Sequence, residues 1–436
     1  MKNWFICSIL ILCPFPVFAQ SDPQQPKPIP STREEMKKAL EKLKTVQPRI
    51  PFPKLTSEQT KKPLVNNGIM RQYYLSNTLK DSGFSRTPEP GMLLDPTFKI
   101  MLFWIVSRSN NCHYCLGHQE AKLHNAGLEE ERIAALDFDW EAYSEAEQIA
   151  FRFTKLLALE PQNITDEEYS RLQKYFTPTQ ILEIVLSVAS FTAMNRWTDS
   201  LGIPQEANPM NLKTPTFLTE TPSKYLNKKS KVCPLANLKR EELPSSAEVK
   251  SNWQAALKRS PRIPLMDMEK ARERLQIQDQ KDPLPNYAIL LAYFPRMGKS
   301  KMNSILGEES KGLLAPKTRF QIRWVAARHD RAWYALAQAT SSLKALGQSD
   351  AQIFALDKAT DGFSEAEKTL FSFVRKLTVQ PFLISDSDIA NLRKYYSDFE
   401  VAEIVQRIAN AAYFDRLTET IRLPIEANVY KNIGLD

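Results

Sequence analysis

The stretch "LLDPTFKIMLFWIVSRSNNCHYCLGHQEAKLHNAGL", residues 93–128, is answered by "LLAPKTRFQIRWVAARHDRAWYALAQATSSLKALG" at 313–347. From 93–208 to 313–428 the two runs keep a constant offset of 220 with no gap. Trp104 matches Trp324, Gly127 matches Gly347, and "YSEAEQIAFRF" at 143–153 matches "FSEAEKTLFSF" at 363–373. Further on, "IPQEAN" at 203–208 matches "LPIEAN" at 423–428, and upstream "PRIP" at 48–51 recurs at 261–264. A single repeat this long describes two domains rather than a solenoid of short units.

Within each copy the pattern is helical. Ser144-x-x-Glu147 and Thr165-x-x-Glu168 have the capping-box form, in which a hydroxyl and a carboxylate satisfy orphan amides at a helix start. Ile149, Ala150, Phe153, Leu156 and Leu157 follow at helical spacing and define one buried stripe. Thr177 before Pro178 opens a long helix that is apolar nearly all round and is expected at the centre of the fold. The second copy repeats these signals at Ser364 with Glu367, Ser385 and Ser397. Only 12 glycines stand against 29 clustered prolines, which suits long helices joined by stiff connectors. The expected fold is all-α. Its parts are read as a signal at 1–19, an arm at 20–52, a domain at 53–212, a linker at 213–245 and a second domain at 246–436.

The first residues, "MKNWFICSILILCPFPVFAQ", combine Lys2, a short apolar run and small residues Val17 and Ala19 before a cleavage point. That is the form of a secretory signal and is too short to span a bilayer. Export is therefore expected, and no second apolar segment reaches membrane-spanning length. The formal charge of +8 is spread along the chain, and "NKKSKV" at 227–232 reads as a solvated connector. No nucleic-acid partner is expected. Cys7 and Cys13 would leave with the signal, so Cys112, Cys115 and Cys233 remain. Three cysteines do not make a disulfide framework.

Four chemistries compete for Cys112, Cys115 and His118. A c-type haem needs histidine directly after the second cysteine, where Leu116 stands. Structural zinc needs four ligands, and one cysteine pair with one histidine leaves a place unfilled while Cys233 lies in the linker. Two buried small residues would also fit, since the second copy has Ala332 and Ala335 there. A redox dithiol fits best. Asn110 or Asn111 is placed to cap a helix whose first turns hold both sulfurs, and a helix N-terminus favours thiolate. Dipole reasoning alone nominates Cys112 as the more acidic thiol. His118, one turn beyond Cys115, is a candidate base or relay. His113 and Gln119 are candidate modulators, whereas His124 and His329 have no thiol partner in the pattern. Cys233 reads as a simple linker thiol.

The segment "SRSNNCHYCLGHQEAKLHNAGL" with the helices through "NRWTDSLGIP" resembles the AhpD-like alkylhydroperoxidase branch of the carboxymuconolactone decarboxylase-like superfamily. The resemblance covers about 90–205 and, as a degenerate copy, 310–425. It implies hydroperoxide reduction with Cys115 as the peroxidatic thiol and Cys112 as the resolving thiol. The two would close a disulfide that an unidentified thiol reductant reopens. It also implies no metal or cofactor, and association into homo-oligomers that a duplicated chain can imitate internally. Family members often place the relay histidine where Gln119 stands. Several also carry a glutamate upstream of the first cysteine, yet no carboxylate lies between Asp95 and Cys112. Two other functions use the same residues differently. One is thiol–disulfide exchange on protein thiols, and the other is a helical assembly protein with a structural disulfide.

Overall fold

The computed structural model describes residues 25–54, 65–80, 88–211, 216–218, 224–235, 240–279, 282–358, 360 and 362–435. The signal-peptide reading at 1–19 lies outside them. Among the described residues the fold is all-α, with one isolated bridge between Thr32 and Lys229 in place of any strand. In the first half the main helices are α1 (Arg33–Lys42), α2 (Asn66–Tyr74), α3 (Pro96–Ser109), α4 (His113–Asn125), α5 (Glu145–Leu159) and α6 (Pro178–Ser200). The second half answers with α7 (Ser246–Leu257), α8 (Asn286–Leu291), α9 (Pro295–Ser310), α10 (Pro316–Asp330), α11 (Trp333–Ala345), α12 (Glu365–Val379) and α13 (Asp398–Ile421). Helices α2 to α6 recur at the repeat offset, while at the place of α9 the described residues of the first half form only the short helix Asn77–Lys80.

The caps form where the hydroxyl–carboxylate spacing places them. Ser144 with Glu147, Thr177 with Gln180, Ser364 with Glu367, Ser385 with Asp388 and Ser397 with Glu400 each close a capping box. Thr165 caps Glu168 N, but Glu168 does not reciprocate and instead faces Arg171 at 3.7 Å. Each such cap stabilises its helix by about 1 kcal/mol.

Helix α6 is buried on almost every side because it faces both its own half and α13, the broadest helix–helix contact among the described residues. Contacts between the halves are reciprocal. Arg196 Nη2 donates to Thr378 O at 2.9 Å, and its repeat mate Arg416 donates to Ala158 O at 3.0 Å. The arginines of the two "PRIP" motifs behave alike. Arg49 reaches Asp386 at 2.6 Å, and Arg262 reaches Asp166 at 2.7 Å. Paired exchanges of this kind are what a two-fold dimer makes, here written within one chain.

The segment read as an N-terminal arm carries α1, which is docked against the first half. Arg33 is fully buried, with Nη2 on Glu120 at 2.8 Å and Nε on Glu130 at 2.7 Å. Burial opposes its charge, but the two carboxylates outweigh burial and hold the guanidinium protonated. Linker residues 224–232 also lie on this half, whereas Arg240, Glu241 and Pro244 meet Asp330, Arg331 and Arg328 of the second. Tyr225 donates to Asp139 at 2.7 Å, and Ser230 donates to Asp137.

Candidate functional site

The site begins at the corner between α3 and α4. Asn110 ends α3, Asn111 takes the left-handed region at φ 53°, and Cys112 itself is the N-cap of α4. Asparagine tolerates that conformation better than most residues. Neither asparagine caps the helix, contrary to the sequence expectation. The left-handed turn sends the Asn111 side chain sideways, where Oδ1 meets His113 Nε2 at 3.0 Å and Nδ2 donates to Pro28 O at 3.2 Å. The corner is anchored beneath by Arg108, which pairs with buried Asp137 at 3.1 Å and donates to Pro30 O at 2.8 Å.

Both thiols are free and buried, Cys112 at 0% and Cys115 at 4% exposure. They meet at one oxygen. Thr198 Oγ1, on α6, lies 3.1 Å from Cys112 Sγ and 3.2 Å from Cys115 Sγ, and donates to Met194 O at 3.0 Å. The two sulfurs are pushed in opposite directions. Burial drives the Cys112 thiol well up, and the neighbouring Cys115 adds to that rise. Burial would raise Cys115 too, but hydrogen bonds from Cys112, Thr198 and Asn195 outweigh it and bring this thiol below its ordinary value. The dipole argument favouring Cys112 fails here because hydrogen-bond donors converge on Cys115.

His118 does face a carboxylate, one supplied from far downstream. Its Nε2 lies 2.8 Å from Glu206 Oε2. Glu206 also accepts from Tyr114 Oη at 2.8 Å, Asn66 N at 2.6 Å and Gln205 Nε2 at 2.9 Å. Burial opposes ionisation of Glu206, but the hydrogen bond and charge of His118 prevail and lower it to about 2. The ring of Tyr114 lies 4.6 Å from that of His118, fixing the imidazole from a second side. Gly117, between Leu116 and His118, lets this layer close, because a Cβ there would come within 2.6 Å of Gln205 Oε1. Gln119 is buried, with Nε2 donating to Cys115 O at 3.2 Å and Oε1 lacking a donor among the described residues.

The structure therefore gathers the predicted residues into two adjoining clusters. Cys112 and Cys115 share Thr198, while His118 shares Glu206 with Tyr114. His113 stays apart from the second cluster, and burial with the nearby charges of Lys27 and Arg108 keeps it neutral. Thr198 and Glu206 were missed by sequence reasoning. The signal for Glu206 was present, since "IPQEAN" and "LPIEAN" keep this glutamate in both copies.

The second half preserves the scaffold of the site. Glu426 accepts from Tyr334 Oη at 2.5 Å, Asn286 N at 2.6 Å and Gln338 Nε2 at 2.8 Å. Gln338 stands where His118 stands, and Ala332 and Ala335 replace the cysteines. Thr418 answers Thr198 and donates to Phe414 O at 2.9 Å.

A strap lies over the Cys112 side of the corner. Lys27 pairs with Asp199, the neighbour of Thr198, and Pro28 and Pro30 give their carbonyls to Asn111 and Arg108. On the far side of α4, Glu120, His124 and Glu130 bring potential ligand atoms within 4.8 Å of one another. Arg33 and Lys37 already supply that cluster with positive charge, each within 2.8 Å of a carboxylate oxygen.

No family model matches the chain. Over 100 residues it is 26% identical to the uncharacterized protein YdfG of Bacillus subtilis (strain 168), which covers 22% of this chain and 68% of that protein. Two solved structures are similar to part of it. The debrominase Bmp8 in complex with 2,3,4-tribromopyrrole gives a TM-score of 0.32 at 14% identity, covering 45% of this chain and 97% of Bmp8. Bmp8 in its apo form gives 0.32 at 13% identity, covering 44% and 95%.

Proposed function

We propose that this chain is an exported, AhpD-like dithiol hydroperoxide reductase whose chemistry resides in the first half. The observation that carries the reading is the pair of buried thiols on one hydroxyl with opposite acid shifts. Despite burial, hydrogen bonds bring the Cys115 thiol down, while burial pushes the Cys112 thiol up, the order expected of a peroxidatic and a resolving cysteine.

The Cys115 thiolate attacks the terminal oxygen of the hydroperoxide. The S–O bond forms, the O–O bond breaks, and the alkoxide leaves with a proton as alcohol. His118, oriented by Glu206 and Tyr114, carries that proton. Cys112 sulfur then attacks the Cys115 sulfenic acid, forming the disulfide as the S–O bond breaks. The leaving hydroxide takes the Cys112 proton and departs as water. Two electrons and two protons from an external dithiol restore the pair. Cys112→Ser and Cys115→Ser both halt this cycle.

The test is peroxide consumption by residues 20–436 with a small dithiol reductant, alongside both serine variants. Turnover lost in each variant is the expected result. A disulfide that exchanges with other thiols but ignores peroxide would favour thiol–disulfide exchange on proteins. Loss of stability without any lost activity would favour a structural disulfide.

A further inference from the structure

We infer that the Thr198 hydroxyl is a catalytic proton carrier between the two sulfurs, an assignment that rests on the dithiol reading above. Thr198 Oγ1 has one proton to give and two lone pairs to receive with. Four acceptors surround it: Met194 O at 3.0 Å, Cys112 Sγ at 3.1 Å, Cys115 Sγ at 3.2 Å and, farthest, Asn195 O at 3.4 Å. When both cysteines are thiols, the hydroxyl serves Met194 O and receives from sulfur. When Cys115 ionises, the charged sulfur is the stronger acceptor, and the hydroxyl turns toward it. Cys112 then donates to the same oxygen. The result is a line from the Cys112 thiol through the hydroxyl to the Cys115 thiolate.

That line runs in the direction the resolving step needs. As Cys112 sulfur attacks the sulfenic acid, its proton passes to Thr198 Oγ1. The hydroxyl proton passes in turn to the oxygen leaving Cys115. The S–S bond forms, the S–O bond breaks, water departs and the threonine is regenerated unchanged. Cys112 is wholly buried, so bulk water does not reach its proton directly.

The second half separates this role from a merely structural one. Thr418 keeps the same backbone hydrogen bond, to Phe414 O at 2.9 Å, where Ala332 and Ala335 offer no sulfur. Holding the helix therefore needs only the bond to the carbonyl. The sulfur contacts are additional and belong to the half that has thiols.

The experiment uses the reduced mature chain with Thr198→Val and Thr198→Ser, each checked for folding by circular dichroism. Thr198→Ala stands in if valine unfolds the helix. The first measurement is the pH dependence of iodoacetamide labelling at Cys115, located by mass spectrometry. Valine should raise the midpoint by about one pH unit, the worth of one hydrogen bond to a charged group, and serine should restore it. The second is the rate of disulfide closure after one equivalent of hydrogen peroxide, with sulfenic acid trapped by dimedone. Valine should slow closure about tenfold, and serine should stay within about twofold of the parent. Valine leaving both the midpoint and the closure rate unchanged would overturn the assignment. If the parent chain ignores peroxide, the peroxidase reading fails by itself. Diamide then takes its place as oxidant, because closure from the diamide adduct still requires the Cys112 proton to be moved.

Discussion

The two halves carry the same glutamate in the same cradle, and it titrates in opposite directions. Glu206 is lowered to about 2 because His118 faces it, despite burial. Glu426 is raised, because burial dominates and Gln338 brings no charge. Tyrosine, backbone amide and the residue one turn along the helix are otherwise held alike. The difference teaches that the duplicated scaffold supplies geometry, and that the proposed reactivity turns on three positions. These are Cys112, Cys115 and His118 in one half, and Ala332, Ala335 and Gln338 in the other. The buried carboxylate of the second half is the acceptor for Tyr334 Oη and Asn286 N, and removing it would leave both without that partner.

The same contrast runs through the far face of α4. Trp104 donates to Glu120, which is paired with Arg33, whereas Trp324 donates to Thr340 at 3.1 Å. One half uses a buried ion cluster where the other uses a neutral hydroxyl. Arg33→Ala should therefore cost about 3–5 kcal/mol in urea denaturation, since it takes the cation from buried Glu120 and leaves Glu130 to Lys37 and His124. Thr340→Ala should cost about 1 kcal/mol in the same assay. Equal losses at the two positions would break the comparison.

Converting the second half toward the first sharpens it further. Ala332→Cys with Ala335→Cys should give a pair that labels slowly with iodoacetamide at neutral pH. Adding Gln338→His should bring Glu426 down toward the behaviour of Glu206, read from carboxyl chemical shifts across a pH titration. A Glu426 that stays raised beside the new histidine would show that His118 is not what holds Glu206 down.

The pH dependence of stability follows with its sign. Glu206 has a folded pKa below its unfolded value, so its contribution is complete above pH about 4.5 and is lost as pH falls toward 2. Glu426 is raised, so its contribution is present below pH about 4.5 and fades as pH rises through its folded value. Glu206→Gln should flatten the acid limb of the stability curve, while Glu426→Gln should add stability near neutral pH. Thermal melts across pH 2–7 read both effects. The smallest effect is expected at the strap. Lys27→Ala removes the ion pair with Asp199 and should raise Cys112 labelling about twofold to fivefold, on the order of a single partly exposed ion pair.

Much of this fold was legible because it rests on local rules. The offset of 220 located both halves, and helix-capping residues read from the sequence placed the starts of α5, α6, α12 and α13. The CxxC pair and His118 were visible for the same reason, since they sit on one short helix. What escaped depends on chain segments meeting from a distance. Glu206 arrives 88 residues after His118, so a search upstream of Cys112 could not find it. Thr198 was one hydroxyl on a helix already read as core. Asn111 looked like a cap because capping was scored by residue type, whereas the left-handed turn redirected its side chain. The docking of α1 depended on Arg33 finding two carboxylates 87 and 97 residues away.

On the proposed mechanism, Cys115 meets the peroxide and Cys112 resolves it. The most direct test adds one equivalent of hydrogen peroxide to Cys112→Ser and to Cys115→Ser, with dimedone present, and reads intact mass. The account predicts one dimedone adduct on Cys115 in Cys112→Ser and none in Cys115→Ser. An adduct on Cys112 in Cys115→Ser, with none on Cys115 in the other variant, would contradict it.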